Sequence, residues 1–146
     1  MPHPFKRSLA IAAIAFVLLP GLSACSPAPG QGLQMLPASS LPPDLRVQPA
    51  TVRAAYQFAA ANPELMQQVP CYCGCGAIGH TSNYSCYISS TDPQGKLTFD
   101  SHAEGCSICV DITQDVMRLS RQGRSAGQIR AYVDDTYSQY GTSNLP

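Results

Sequence analysis

The chain has no tryptophan, and charged residues make up only 12% of its 146 positions. Nine lysines and arginines are balanced by nine aspartates and glutamates. No basic stripe is present to follow a phosphate backbone, so the expectation is no nucleic-acid partner. No apolar run reaches the roughly 18 residues that a membrane-spanning helix needs. No internal repeat is visible, which removes solenoid and propeller architectures. Large apolar side chains are few, so a folded part of this size buries a modest core, and cross-links or bound metal would add needed stability.

Cysteine, by contrast, is plentiful: seven residues, three of them at every second position in Pro70-Cys71-Tyr72-Cys73-Gly74-Cys75-Gly76. Alternate side chains of an extended segment point to one face, repeating about every 6.5–7 Å. Three thiols would converge there, close enough to share a metal ion, while being poorly placed to bridge one another. Cys86, Cys106 and Cys109 follow downstream.

The first residues read as an address. Lys6 and Arg7 precede an apolar stretch, Leu9 to Leu19, that Pro20 breaks. At roughly 11 residues it has the length of a signal-peptide core and not of a permanent span. Leu22-Ser23-Ala24-Cys25 matches a bacterial lipobox, in which the cysteine receives a lipid. The expected organisation is a signal peptide over 1–24 and a lipid anchor on Cys25 that tethers the chain to a bacterial membrane, extracytoplasmic, where disulfides persist. Ser26 follows where an aspartate would signal retention at an inner membrane. With Cys25 lipidated, six cysteines remain.

Residues 25–50 contain prolines at 27, 29, 37, 42, 43 and 49, the composition of a disordered, extended tether. Met35 reads as linker. The folded domain is expected over 51–141, with 142–146 as a tail. Without Lys6 and Arg7 the chain carries seven basic and nine acidic residues, a net charge of −2.

Local signals predict a mainly α fold: a small helical bundle with a short β-hairpin and a cysteine-rich loop. Thr51 can cap a helix burying Val52, Ala55, Tyr56 and Ala59. Asn62-Pro63 places a cap before proline at the first helical position, and Leu65, Met66 and Val69 form the apolar face before Pro70. Tyr84 to Ser89 and Lys96 to Phe99 read as strands around Asp92-Pro93-Gln94-Gly95, a type I turn. Cys106, Cys109, Ile112, Val116 and Leu119 form one helical stripe between about 106 and 122. Gly123 suits the terminating left-handed position, and Ser125 with Gln128 gives a capping box. The last helix is expected to bury Ile129, Tyr132, Val133 and Tyr137. Tyr72, Tyr84, Tyr87 and Tyr140 read as packing residues.

Three chemistries compete for the six thiols. Three structural disulfides suit an exported domain, although the clustering would close few independent loops. A soft-metal site suits the clustering: thiolates prefer copper(I) and also hold zinc. Six sulfurs exceed the four that a single zinc takes and fit several copper(I) ions with bridging sulfurs. Thiol–disulfide exchange fits Cys106-Ser107-Ile108-Cys109 at a helix start, where the dipole lowers thiol pKa values. The flanking βαβ pattern of a thioredoxin-like fold is missing. His80 and His102 are candidate peripheral ligands, and Asp100 and Asp111 candidate acceptors for an imidazole. No catalytic base or substrate pocket emerges, so a non-enzymatic role is expected.

Asn62-Pro63-Glu64-Leu65-Met66, the run from Pro70 to Gly76, Gly79-His80, Ser82-Asn83, Cys86, Asp100-Ser101-His102 and Gly105-Cys106-Ser107-Ile108-Cys109 together resemble the bacterial PCYCGC-motif family. The resemblance covers about residues 62–137. Met66 departs from a frequent leucine, and Ser101–Ala103 from a common His-Gly pair. The resemblance implies an exported protein, often a lipoprotein, whose role centres on its cysteines; it brings no assigned activity. The reading that joins these observations is an exported lipoprotein that binds soft metal, copper(I) before zinc. Its ligands would be Cys71, Cys73, Cys75, Cys86, Cys106 and Cys109, with His80 and His102. Sequestration or delivery to an exported metalloprotein or metal transporter would be its task.

Overall fold

The structure, a computed structural model, describes Met1 and residues 33–145. The expected signal peptide, Cys25 and the first part of the expected tether lie outside the described residues. The described part is mainly helical, with one two-stranded antiparallel sheet. Its helices are α1 (Pro43–Arg46), α2 (Ala50–Ala61), α3 (Pro63–Met66), α4 (Ser107–Arg121) and α5 (Ala126–Tyr137). The strands are β1 (Ile88–Thr91) and β2 (Leu97–Phe99). No described helix is long and apolar enough to cross a membrane.

α4 is the centre of the bundle, packed against α2 on one side and α5 on the other. Its inward stripe buries Cys109, Ile112, Val116 and Leu119 as the spacing predicts, while Cys106 stays half-buried at the N-cap position. Each fully buried branched side chain contributes about 1.5–3 kcal/mol relative to exposure. Ala55 and Ala59, buried on α2, keep that face small where it meets the bundle. Gly123 has the predicted left-handed φ of 72° after α4. Ser125 and Gln128 form the reciprocal capping box that starts α5. α5 buries Ile129, Val133 and Tyr137. Tyr132 is only half-buried, covered by the Arg118 guanidinium 5.1 Å from its ring, and Tyr140 is exposed.

Several local expectations shift. α2 begins at Ala50 with Pro49 before it, so Thr51 lies inside the first turn. Asn62 makes no side-chain cap for α3; its amide donates back to Phe58 O at 2.7 Å and to Gln34 O at 2.9 Å. Tyr84–Cys86 forms a 3-10 turn, and the strand starts later, at Ile88. The hairpin turn is as predicted: Gly95 N–H donates to Asp92 O at 2.9 Å, and the Asp92 carboxylate accepts from the amides of Gln94 and Lys96.

The larger correction concerns both ends of the folded unit. Beyond residue 33 the supposed tether packs onto the bundle. Leu41 and Leu45 are 1% and 2% exposed. Leu36 and Gln57 exchange two hydrogen bonds, backbone N–H to Gln57 O at 2.9 Å and Gln57 Nε2 to Leu36 O at 2.7 Å. Met35 also packs against the core. Proline content alone misjudged this stretch: Pro43 sits at the first position of α1, where its missing N–H costs nothing, and the intervening leucines anchor the segment. At the other end, Asn144 in the supposed tail is tied to Cys71.

Candidate metal centre

Three loop segments carry the candidate ligands, and each is held by a different part of the fold. The first is the run after α3. Gly74 takes φ 84°, a conformation that only glycine adopts without penalty, and a 3-10 turn over Cys75–Ile78 follows. The run therefore curls where alternation predicts an extended geometry. Cys71 and Cys73 sulfurs lie 3.4 Å apart, and those of Cys71, Cys73 and Cys75 all lie within 4.8 Å of one another. The convergence is as expected; its cause is the turn at Gly74.

The second segment, His80 to Cys86, is drawn in by Asn83, whose N–H donates to Val69 O at 2.8 Å. Cys86 Sγ comes to 3.6 Å from Cys75 Sγ. The third segment leaves β2 and leads into α4. Asp100 N–H donates to Tyr87 O at 2.8 Å, so the hairpin sets Cys86 and His102 side by side. Tyr56, reaching from α2, donates to Asp100 O at 2.7 Å. Burial, with the nearby Glu104 and Asp100 carboxylates, holds the Tyr56 hydroxyl protonated well above its ordinary range. His102 N–H donates to Asp100 Oδ1 at 2.8 Å, and His102 Nε2 lies 3.5 Å from Cys73 Sγ.

Cys106 and Cys109 enter at the start of α4, 3.1 Å apart. Cys109 Sγ reaches Cys71 at 3.4 Å and Cys73 at 3.5 Å. Its backbone is fixed by a buried polar network. Tyr87 Oη donates to Cys109 O at 2.8 Å and Asn83 Nδ2 reaches the same oxygen at 3.4 Å. Thr113 Oγ1, 2.7 Å from Tyr87 Oη, donates to Asn83 Oδ1 at 2.8 Å. Asn83 and Thr113 are fully buried, so this network satisfies groups that would otherwise be costly.

All six described cysteines are free thiols, with the contacts among their sulfurs at 3.1 to 3.6 Å; a disulfide needs about 2.05 Å. The competing reading of three structural disulfides is therefore not met. The two histidines fall within the same cluster, their ring centroids 5.1 Å apart. Four overlapping groups result, each with ligand atoms within 4.8 Å of one another: Cys73, His102, Cys106 and Cys109; Cys75, His80, Cys86 and His102; Cys71, Cys73 and Cys75; and Cys71, Cys86 and Cys109. The eight residues singled out in the sequence thus come together in one place, and these cysteine and histidine clusters can hold a metal ion.

His80 gives the most direct sign of that chemistry. Its Nε2 faces Asp100 Oδ2 at 3.6 Å, while its Nδ1 is buried with no hydrogen-bond partner. An imidazole held by a carboxylate on one nitrogen and free on the other is the usual arrangement of a metal-ligating histidine. Asp111, the other acidic candidate, is exposed on α4.

The electrostatics point the same way. Hydrogen bonding from Cys109, and then from neighbouring thiols, holds Cys71 well below the ordinary thiol range despite its burial. Burial pushes Cys73 and Cys75 up, and the negative charge of Cys71 adds to it. Cys109 rises because its proton is engaged with Cys71. Cys86 rises too: the pull of Cys109 is outweighed by Cys71 and burial. Ionisation is thus favoured at Cys71 and disfavoured at its neighbours, by burial first and by the Cys71 charge second at Cys73 and Cys75, and a bound cation would offset both.

Sequence reasoning missed two supports. Asn144 accepts from Cys71 N–H through Oδ1 at 2.7 Å, donates its own N–H to Cys71 O at 3.1 Å, and brings Nδ2 to 3.4 Å from Cys75 Sγ. Gly141 allows this strap to lie close, since a Cβ there would meet Tyr72 O at 2.7 Å. Tyr72, read as packing, donates to Asp134 Oδ1 at 2.6 Å and ties the run to α5; burial and that carboxylate push its hydroxyl up to about 12. No local pattern marks Asn144, because its role depends on a contact 73 residues away.

Neither the curated proteins nor the solved structures offer a match to the chain. Residues 33–144, the same stretch that packs as one unit from Leu33 to the Asn144 strap, match the family described as protein of unknown function with PCYCGC motif, and the chain belongs to that family.

Proposed function

We propose that this protein binds soft metal ions, copper(I) first and zinc second, and holds them for sequestration or for delivery to an exported metalloprotein or metal transporter. The observation that carries the reading is the convergence of six free thiols and two imidazoles in overlapping groups, with His80 Nδ1 buried and unpartnered. A lone four-coordinate ion would leave half of these ligands unused. Sulfurs shared between groups, as Cys71 and Cys109 are, suit bridging thiolates between several copper(I) ions. The site lies outside the cytoplasm on this reading, with the chain anchored through a lipid on Cys25.

The test is the full chain purified without air in mild detergent, loaded with copper(I), and followed by native mass spectrometry and thiol counting. Several ions retained on six cysteine thiolates support the reading. Three disulfides with a fold indifferent to chelator overturn it. Labelled fatty acid incorporated into the wild type and not into Cys25→Ala supports the anchor.

A second reading draws on the 3.1 Å approach of Cys106 and Cys109 sulfurs at the start of α4. It assigns thiol–disulfide exchange, and rapid turnover of a disulfide substrate that is lost in Cys106→Ser would favour it. The βαβ frame of thioredoxin-like proteins is not seen among the described residues.

A further inference from the structure

The four ligand groups are not equivalent. Cys75 and Cys86 are buried, and the His80 side chain with them is only 11% exposed. On the other side, Cys73, His102 and Cys106 are half-buried and Cys109 is buried beneath them. Cys106 differs from every other thiol in the cluster by belonging to one group alone. It sits at the N-cap position of α4 with an extended backbone, its carbonyl accepting the first helical bond from Val110 N–H at 3.3 Å. It also lines a depression of about 330 Å³ with Pro49, Val52, Glu104 and Asp111.

Resting on the metal-binding reading, we propose that the centre is divided into a retained inner half and an exchangeable outer half, with Cys106 as the ligand that gives way to an incoming donor. The inner half is Cys75, His80, Cys86 and His102; the outer is Cys73, His102, Cys106 and Cys109. Cys71 lies between them, grouped with members of each. An ion in the inner half is bounded by buried Cys75 and Cys86 and by His80, which leaves only the half-buried His102 side open to an external ligand. An ion in the outer half is reached through the depression beside Cys106.

Transfer is then a ligand substitution without change of oxidation state. A thiol of the partner loses its proton and bonds to the outer copper(I). The bond from copper to Cys106 Sγ breaks, and Cys106 takes up the proton. Exchange of Cys73, Cys109 and His102 for further partner donors, each departing cysteine taking up the proton that an incoming thiol gives up, completes release. The partner is a protein that presents a thiol small enough to enter the depression. The partner's surface around that thiol is basic, to complement the acidic Glu104 and Asp111 that flank the opening.

The test uses the copper(I)-loaded full chain and bathocuproine disulfonate, a copper(I) chelator, with release followed by absorbance. The wild type is expected to release its metal in two phases. Cys106→Ser accelerates the fast phase, by at least about tenfold, and leaves the slow one unchanged; loss of even a supporting group costs metal affinity on that scale. Cys86→Ser removes the slow phase and leaves the fast one. Because Cys86 is buried, a measurement on the wild type stands beside the variants: limiting iodoacetamide is added during release, and the alkylated positions are read by mass spectrometry. Cys106 modified first supports the division; Cys75 or Cys86 modified first overturns it. Release in a single phase from a loaded chain overturns the division and leaves metal binding intact. A chain that takes up no copper(I) overturns both.

Discussion

Cys71 Sγ stands 3.4 Å from Cys109 Sγ across a separation of 38 residues, and with the 3.5 Å approach of Cys73 to the same sulfur it joins the PCYCGC run to the first turn of α4. Cys71 has neighbours on both sides of the centre: it groups with Cys73 and Cys75, and with Cys86 and Cys109. Its replacement should therefore affect every bound ion, where replacement of a peripheral ligand affects one. Cys71→Ser is expected to give the lowest metal number of any single cysteine variant, with the fold retained because serine is nearly isosteric. Native mass spectrometry of the six single variants measures this directly. An ion count for Cys71→Ser equal to that for Cys106→Ser would contradict the bridging position.

Asn144 offers a test away from the ligands. Its carboxamide accepts the Cys71 N–H, and its backbone N–H is donated to Cys71 O. Asn144→Ala removes the side-chain acceptor and leaves the Cys71 amide unpaired beside a buried thiol, at a cost of about 1–3 kcal/mol. Thermal unfolding of the metal-free protein should show the loss. Metal-loaded protein should show less of it, because ligation holds Cys71 by other means. An unchanged midpoint in the metal-free state would mean that the strap is not bound in solution.

The reach of the sequence was greatest where chemistry repeats at short spacing. The α4 stripe, the Ser125 capping box and the Asp92 turn are set by interactions within a few residues, and each appears as predicted. That these eight residues would gather in one place was legible because thiols and imidazoles are scarce residue types that were clustered in the chain. Where the sequence misled, the deciding contact was distant. Leu36 pairs with Gln57, and Asn144 pairs with Cys71, so both ends of the unit were misplaced. The extended form expected of the cysteine run failed for a local reason: Gly74 permits a left-handed turn that alternation does not foresee.

Asp100 makes a prediction about ligand basicity. Its Oδ2 faces His80 Nε2 at 3.6 Å, and its Oδ1 accepts from His102 N–H. Asp100→Asn keeps an oxygen for the His102 amide and removes the carboxylate charge beside His80. Metal affinity should fall about 10–100-fold, the usual cost of losing a carboxylate behind a ligating histidine. Competition titration against a chelator of known affinity measures it. An unchanged affinity would place His80 outside the coordination sphere.

Acid should compete with metal. Each thiol that becomes a ligand releases its proton, so binding is coupled to proton loss. Lowering the pH raises the cost of that loss, and apparent affinity must decline with it. Loading the protein with copper(I) in weakly buffered solution should acidify the medium, and chelator competition at successively lower pH should show weaker retention. Affinity independent of pH would mean that the cysteines are not the ligands.

The network beneath Cys109 gives the last prediction. Thr113 Oγ1 donates to Asn83 Oδ1 at 2.8 Å and lies 2.7 Å from Tyr87 Oη, which itself donates to Cys109 O. Thr113→Val preserves shape and removes the hydroxyl, leaving Asn83 Oδ1 without its donor in a site closed to solvent. A buried acceptor stripped of its partner costs about 1–3 kcal/mol. For a domain near 100 residues each kcal/mol lowers the unfolding midpoint by roughly 4–8 °C. The number of bound ions should not change, because none of the three side chains is a ligand. The rate at which Cys109 is alkylated in the metal-free protein should rise, since its backbone loses part of what holds it beneath Cys71. Loss of stability without faster alkylation would limit the network to a structural role, and faster alkylation would establish it as the support of the α4 half of the centre.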